Sequence, residues 1–360
     1  MRWRCLLFPF AWLYGCAAAF RRGLYNMGVC RRYRSFIPTF VVGNLRVGGT
    51  GKTPHTEYII RLLNHTGQIA LVSRGYGRKT RGYILANDLL NNQLTAENIG
   101  DEPLQIMEKF SGLQVVVSEK RVVALRALEQ LPNPPQAIIL DDAYQHVAIQ
   151  AGLNILLTEY NDPYYNDLPF PAGNLREFAS AARHADLVIV TKSPVDFSQQ
   201  QAACIREKLR LTGSQIVLFS YYIYNNIIPK NSTAEAVILS PSLPVLLITG
   251  IAKPDPMKQY LTDKFHKIKH LSYQDHHTYT KQDIEKIKTA YSELEAEAVV
   301  ITTEKDWARL KTETASGLLS HLPVFVLPIS VAFLFDEEDK FIKIIEDHVR
   351  ESTENSSVLE

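Results

Sequence analysis

The sequence carries no acidic residue before Glu57, although Arg2, Arg4, Arg21, Arg22, Arg31, Arg32, Arg34, Arg46 and Lys52 precede it. The whole chain is nearly neutral, at +1 over 360 residues. That balance gives no argument for a nucleic-acid binder, while the basic leading segment points to an acidic surface or ligand. Cysteine is scarce, with four residues at 5, 16, 30 and 204, in neither a metal-ligand spacing nor a disulfide framework. Reduced thiols of an intracellular protein account for them. The N-terminal apolar run, Cys5 to Phe20, is interrupted by Pro9 and falls short of the ~20 residues that a membrane-spanning helix needs. No internal repeat is present, and the length suggests two domains.

That N-terminal run has three readings. As a signal peptide it would offer a basic start and Ala17-Ala18-Ala19, but basic residues continue well past the cleavage point. As a core helix it would bury its apolar face. The reading preferred is an amphipathic membrane-interface helix within residues 1–35. Trp3, Phe8, Phe10, Trp12, Leu13 and Tyr14 would enter the acyl boundary, and the flanking arginines would meet anionic headgroups.

The most informative stretch is Val41-Val42-Gly43-Asn44-Leu45-Arg46-Val47-Gly48-Gly49-Thr50-Gly51-Lys52-Thr53. It reads as a buried strand, a glycine-rich turn, and Lys-Thr opening a helix. Backbone N–H groups of such a turn wrap a triphosphate, and the helix N-terminus adds partial positive charge. Val47 to Thr53 form the nucleotide-binding set. Lys52 would reach the β- and γ-phosphates, and the Thr53 hydroxyl would ligate Mg²⁺. Arg46 stands where the strict G-x-x-x-x-G-K-[ST] pattern has its first glycine, so the loop is a G-G-x-G-K-T variant. Guanine recognition by an N/T-K-x-D element fails because Pro194 follows Thr191-Lys192 at the acidic position. ATP is therefore the expected nucleotide.

Apolar strands alternate with helical segments from residue 38 to Thr191, which predicts a parallel α/β sheet with both faces covered. Residues 36–215 read as a P-loop NTPase-like domain. Two β-rich stretches, 216–223 and 234–239, read as a two-stranded linker over 216–240. Residues 241–350 read as a smaller α/β domain closing over the first, and 351–360 as a disordered tail.

Polar motifs fall at strand ends, where ligands bind in open α/β sheets. Asp141-Asp142, after Ile138-Ile139-Leu140, has the position of a Mg²⁺-holding strand-end acid, and Gln145 and His146 could complete its shell. Gly100-Asp101-Glu102-Pro103 opens a helix. Asp101 is there either an N-terminal cap or a general base for an attacking hydroxyl. Asp275-His276-His277 lacks a third spaced ligand for zinc, but a histidine from the second domain could relay a proton. Asn44, Ser73, Arg74, Tyr76, Glu102, Asp142 and Arg176 are the remaining candidates for substrate or phosphate contact.

Together these elements resemble the tetraacyldisaccharide 4′-kinase family of lipid A biosynthesis. The resemblance covers about residues 20 to 310. It rests on the loop through Pro54, Ser73-Arg74-Gly75-Tyr76-Gly77, Gly100-Asp101-Glu102-Pro103, Asp141-Asp142-x-Tyr144-Gln145-His146, and Pro171-x-Gly173-x-Leu175-Arg176-Glu177. It continues through Thr249-Gly250-Ile251-Ala252-x-Pro254, Asp275-His276-His277 and Thr302-Thr303-Glu304-Lys305-Asp306. It implies transfer of the ATP γ-phosphate to the 4′-hydroxyl of an acylated glucosamine disaccharide 1-phosphate, by a peripheral enzyme on the cytoplasmic face of the inner membrane. It also implies Asp101 as base in a dyad with His276, and Asp141 and Gln145 at the Mg²⁺ site beside Thr53. Ala143 departs from the family's usual glycine after the two aspartates, which matters only if that residue needs positive φ. No nucleic acid or obligate protein partner is expected. The competing class is a membrane-bound P-loop ATPase acting as a positioning or assembly switch; a nucleotide-sensing module is the third.

Overall fold

The computed structural model describes residues 6–357 except 66, 91–92, 276, 295–296, 312–318 and 320. Its strands are β1 (Thr39–Asn44), β2 (Ile69–Ser73), β3 (Ile84–Leu85), β4 (Gln114–Val117), β5 (Ala137–Asp141), β6 (Leu153–Glu159) and β7 (Leu187–Thr191). They continue as β8 (Ile216–Tyr224), β9 (Ile228–Pro229), β10 (Val245–Thr249), β11 (Ile268–Ser272), β12 (Val299–Thr302), β13 (Val324–Val326) and β14 (Ile329–Phe333). The helices used below are α1 (Phe8–Asn26), α2 (Lys52–Leu63), α3 (Asp101–Lys109), α4 (Arg121–Glu129), α5 (Gln199–Leu209), α6 (Asp255–Thr262), α7 (Lys281–Ser292), α8 (Glu304–Leu310) and α9 (Glu338–Ser357).

The larger sheet has the order β14-β8-β7-β6-β1-β5-β2-β4-β3, parallel except at its two edge strands. The smaller sheet has the order β11-β10-β12-β13-β9, antiparallel only at β9. Central strands such as β1, β5 and β7 are buried at every position, as the covered faces of a parallel sheet require. Helix starts follow local chemistry: Ser198 with Gln201 and Thr280 with Asp283 form reciprocal capping boxes at α5 and α7.

Three expectations change. The link between the sheets is two-stranded, but β8 pairs with β14 rather than with 234–239. The first two residues of that stretch instead end a short helix, Ser232–Glu235, capped by the Asn231 side chain, and no strand forms over 236–239. The second crossing strand therefore comes from the far end of the chain. Residues 329–357, expected in the smaller unit and then in a disordered tail, pack on the larger sheet. Phe341 and Ile345 of α9 are fully buried with Phe40, Ile60 and Val331, and the helix runs to Ser357. Burying that apolar stripe outweighs the polar character of its last two turns.

Helix α1 packs through Ala11, Gly15 and Arg22 and leaves Phe8, Phe10, Trp12, Leu13 and Phe20 exposed. Trp3 lies outside the described residues. The Arg22 guanidinium donates to both Glu177 carboxylate oxygens at 2.9 Å and to the Tyr144 carbonyl at 3.2 Å. Among the described residues no helix is long and apolar enough to cross a membrane.

Phe341→Ala should destabilise the protein by about 3–5 kcal/mol, since the ring sits in a packed interior. Chemical denaturation of the full chain measures this, and a change under about 0.5 kcal/mol would detach α9 from the core of the larger sheet.

Candidate functional site

The turn after β1 is held from several sides. Asn44 is fully buried and donates to the Thr50 hydroxyl at 2.7 Å. Thr191 donates to the Thr50 carbonyl at 2.9 Å, and Val47 N–H to the Asn174 carbonyl at 2.9 Å. Gly51 begins α2 with φ of 92°, and a Cβ there would stand 2.3 Å from the Tyr222 hydroxyl. Only glycine meets both demands. His55, one turn on, donates from Nδ1 to the Gly51 carbonyl at 2.7 Å and accepts at Nε2 from the Ser220 hydroxyl at 2.9 Å. Burial pushes its pKa down to about 4, so the ring is a neutral strut. The result is a fixed loop at a helix N-terminus, a local geometry that suits an anion.

One cleft of ≈ 1360 Å³ lies between the carboxyl ends of the two sheets. Val47 to Thr53, Ser73, Arg74, Tyr76, Asp101, Glu102, Asp141, Asp142, Gln145 and Arg176 all line it. Asn44, expected among the substrate or phosphate contacts, does not; it braces the loop instead. His276 lies outside the described residues, and its neighbour Asp275 lines the cleft. His277 is turned to its own unit, bonded to Asp283 at 3.0 Å and stacked on Tyr273. The Ser73–Gly77 and Gly100–Pro103 segments abut: a Cβ on Gly100, whose φ is 93°, would stand 2.8 Å from Gly75 Cα.

The charges in this cleft are nearly all matched. Burial would raise Asp142, but Lys52 at 3.7 Å and Arg176 at 2.8 Å hold its pKa below the ordinary value. Burial would likewise raise Glu102, and Lys305 of α8 holds it down. Asp101 accepts from Arg309 of α8, at 2.6 Å from Nη2 and 3.1 Å from Nε, while its other oxygen caps the Glu102 N–H at 3.0 Å. Asp141 is the exception. Burial, Glu102 and Asp142 push its pKa up to about 7, against the smaller opposing effects of Lys52 and Arg121. Gln145 donates its amide N–H to the Asn44 carbonyl at 2.7 Å, and its side-chain oxygen accepts from Arg176 at 3.3 Å.

Several residues complete the arrangement that the sequence either left without a role, as in the Glu304-Lys305 motif, or did not single out, as with Arg309, Lys109 and Glu159. Lys305 and Arg309, four apart on α8, project from one helix face toward α3, and that i,i+4 spacing was their available signal. Lys109 pairs with Glu57 at 2.6 Å and with Glu304 at 2.8 Å. Across the cleft, Glu159 receives Lys192 and Lys253, each at 2.7 Å, which ties the second unit to the loop end of β6. Arg121, buried, donates to the Ser118 and Asp141 carbonyls, and nothing in the sequence distinguished it. Ala143 keeps a negative φ while Asp142 takes φ of 47°, so the missing glycine after the aspartates costs no strain.

A family model of tetraacyldisaccharide-1-P 4′-kinases matches residues 3–350. The chain belongs to that family. It is 40% identical over 364 residues to a tetraacyldisaccharide 4′-kinase of Bacteroides fragilis, covering 98% of this chain and 95% of that protein. A tetraacyldisaccharide 4′-kinase of Flavobacterium psychrophilum is 42% identical over 354 residues, with 98% of each covered. The crystal structure of an "apo" form of LpxK from Aquifex aeolicus in complex with ATP matches with a TM-score of 0.72 and 27% identity, covering 96% of this chain and 99% of that one. The expected fold class, an α/β protein with a large, mainly parallel sheet, stands with this kinase family.

The raised Asp141 carboxyl has a signed consequence. Its folded state keeps a proton that the unfolded state has released between the ordinary pKa of 3.8 and about 7. Stability of the metal-free protein therefore falls as pH rises through that window. Asp141→Asn should flatten this part of the profile, and thermal melts from pH 4.5 to 8 on both proteins test it; parallel profiles would refute the assignment.

Proposed function

We propose that this chain transfers the γ-phosphate of ATP to the 4′-hydroxyl of a tetraacylated glucosamine disaccharide 1-phosphate. The observation that carries the reading is that the triphosphate loop and Asp101 line the same cleft. Phosphoryl transfer asks for positioning and charge stabilisation more than for covalent chemistry. The first turn of α2 and Lys52 bind the β- and γ-phosphates, with Arg176 beside them to meet a second phosphate oxygen. As the bond from O4′ to Pγ forms and the bond from Pγ to the β,γ-bridging oxygen breaks, the bridging pair leaves with ADP. Asp101 takes the hydroxyl proton. Arg309 orients that carboxylate until the acceptor arrives, and His276 is the residue we assign as its dyad partner.

Mg²⁺ fits the residues present. The Thr53 hydroxyl, Asp141 and Gln145 are the ligands we assign. The uncompensated acid pressure on Asp141 is what a divalent cation would relieve. No cluster of three His, Cys, Asp or Glu forms a metal cage among the described residues, which suits an ion that keeps several waters. When bound, it neutralises charge on the β- and γ-oxygens.

The acceptor's acyl chains place the reaction at a bilayer. The exposed Phe8, Phe10, Trp12 and Leu13 of α1, with Phe170 close by through its contact with Tyr14, form the apolar face that would enter it. ATP supply assigns the cytoplasmic leaflet of the inner membrane. The switch-ATPase reading has no use for a hydroxyl-facing carboxylate. Incubation with γ-labelled ATP, Mg²⁺ and the acylated disaccharide phosphate separates the two: label must enter the lipid, and label found only as free phosphate would overturn the kinase reading.

Lys52→Ala and Asp101→Asn should each lower turnover by about 10²–10⁴-fold. The Asp101 variant should keep near-normal ATP affinity in equilibrium binding, and a large loss there would make Asp101 a nucleotide ligand rather than a base. Trp12→Glu with Leu13→Glu should reduce vesicle co-sedimentation about tenfold, leaving turnover on detergent-solubilised acceptor intact. Unchanged sedimentation would move the membrane contact to another surface.

A further inference from the structure

A second, smaller cavity of ≈ 120 Å³ lies behind the Asp141–His146 turn, on the side of α1. It is far larger than the ~10–15 Å³ that a single water needs. Its polar wall comprises Arg22, Arg32, His146, His184, Gln150 and Asn154, and no carboxylate lines it among the described residues. Two guanidiniums and two imidazoles around one pocket, without an acid among its described lining residues, form a donor set for an anion.

The neighbouring acids are already engaged. Glu177 takes Nε and Nη2 of Arg22, so Nη1 remains to donate, and Asp186 receives the Asn154 amide at 3.1 Å. Arg32 bonds Asn26 through Nη2, and its buried Nε–H has no hydrogen-bond partner among the described residues. A buried guanidinium N–H left without an acceptor is costly, so such an atom marks a place where an acceptor belongs. Burial first, then Arg22, Arg183 and Arg32, also push the His184 imidazole down to about 4, so the ring is neutral.

We infer that this cavity binds a phosphate-type oxyanion, separately from the nucleotide. His146 and Val147 line both this cavity and the main cleft, so an anion here would brace the turn that carries Asp141 and Asp142 against α1. The same chemistry belongs to free inorganic phosphate and to a phospholipid headgroup, and the position beside the interface helix admits either.

The test uses the full chain saturated with Mg²⁺ and a non-hydrolysable ATP analogue, so that the loop around Lys52 is filled. Inorganic phosphate is titrated calorimetrically into the wild type, Arg32→Gln, His184→Gln and the exposed control Arg31→Gln. For a free anion, the wild type and Arg31→Gln bind one phosphate, and Arg32→Gln and His184→Gln bind it about tenfold more weakly. For a headgroup, phosphate gives no heat, yet phosphatidylglycerol vesicles are preferred over phosphatidylcholine vesicles by the wild type and Arg31→Gln, and this preference is lost in Arg32→Gln and His184→Gln. Equal effects of Arg31→Gln and Arg32→Gln, or no response in either arm, overturn the inference. None of these substitutions touches the residues assigned to phosphoryl transfer, so failure here leaves the kinase reading standing.

Discussion

The pairing of two α3 carboxylates with two α8 cations organises this protein. Asp101 and Glu102 sit at the start of a helix in the larger unit, and Arg309 and Lys305 reach them from the smaller one. Carboxylates in a half-closed cleft pass toward neutrality unless a cation faces them. The smaller unit is therefore part of the electrostatics of the site, not only its cover. The same contacts that orient Asp101 also hold the two units together, so the geometry of this carboxylate and the position of the second unit are coupled.

The phosphate loop shows how much surrounding structure a short motif needs. Its glycines permit the turn, but Asn44, Thr191 and the neutral His55 determine where it stands. Glu159 is a comparable junction on the opposite rim, receiving one lysine from each unit. In both places buried polar side chains join segments distant in the sequence, which is how an open sheet fixes loops that have little packing of their own.

Much of this was legible in the chain itself, for reasons of period and position. β1, β5 and β7 are continuous apolar runs ending in polar motifs, and a parallel sheet places all those ends along one edge. That is why the loop, Ser73, Asp141 and Asp142 could be placed together, whereas Asp101 and Arg176 joined them through the family resemblance. What was not legible depended on long-range choice. The stretch 234–239 has strand propensity but ends a short helix and forms no strand, while β14, about 105 residues beyond β8, supplied the partner of β8. The return of α9 to the larger sheet, the roles of Lys305 and Arg309, and the diversion of Asn44 into bracing the loop all require knowing which distant surfaces meet.

The way the chain passes between its two halves has a mechanical meaning. It leaves through β8 and β9 and comes back through β13 and β14, and these run side by side, hydrogen-bonded from Ser220 with Phe333 to Pro229 with Phe325. A single strand would swivel freely, whereas a cross-linked ribbon flexes across its face and resists torsion and sideways slip. Any parting of the halves would be confined by this ribbon to a single arc, like a door on a long hinge plate, which favours one alignment of Arg309 with Asp101.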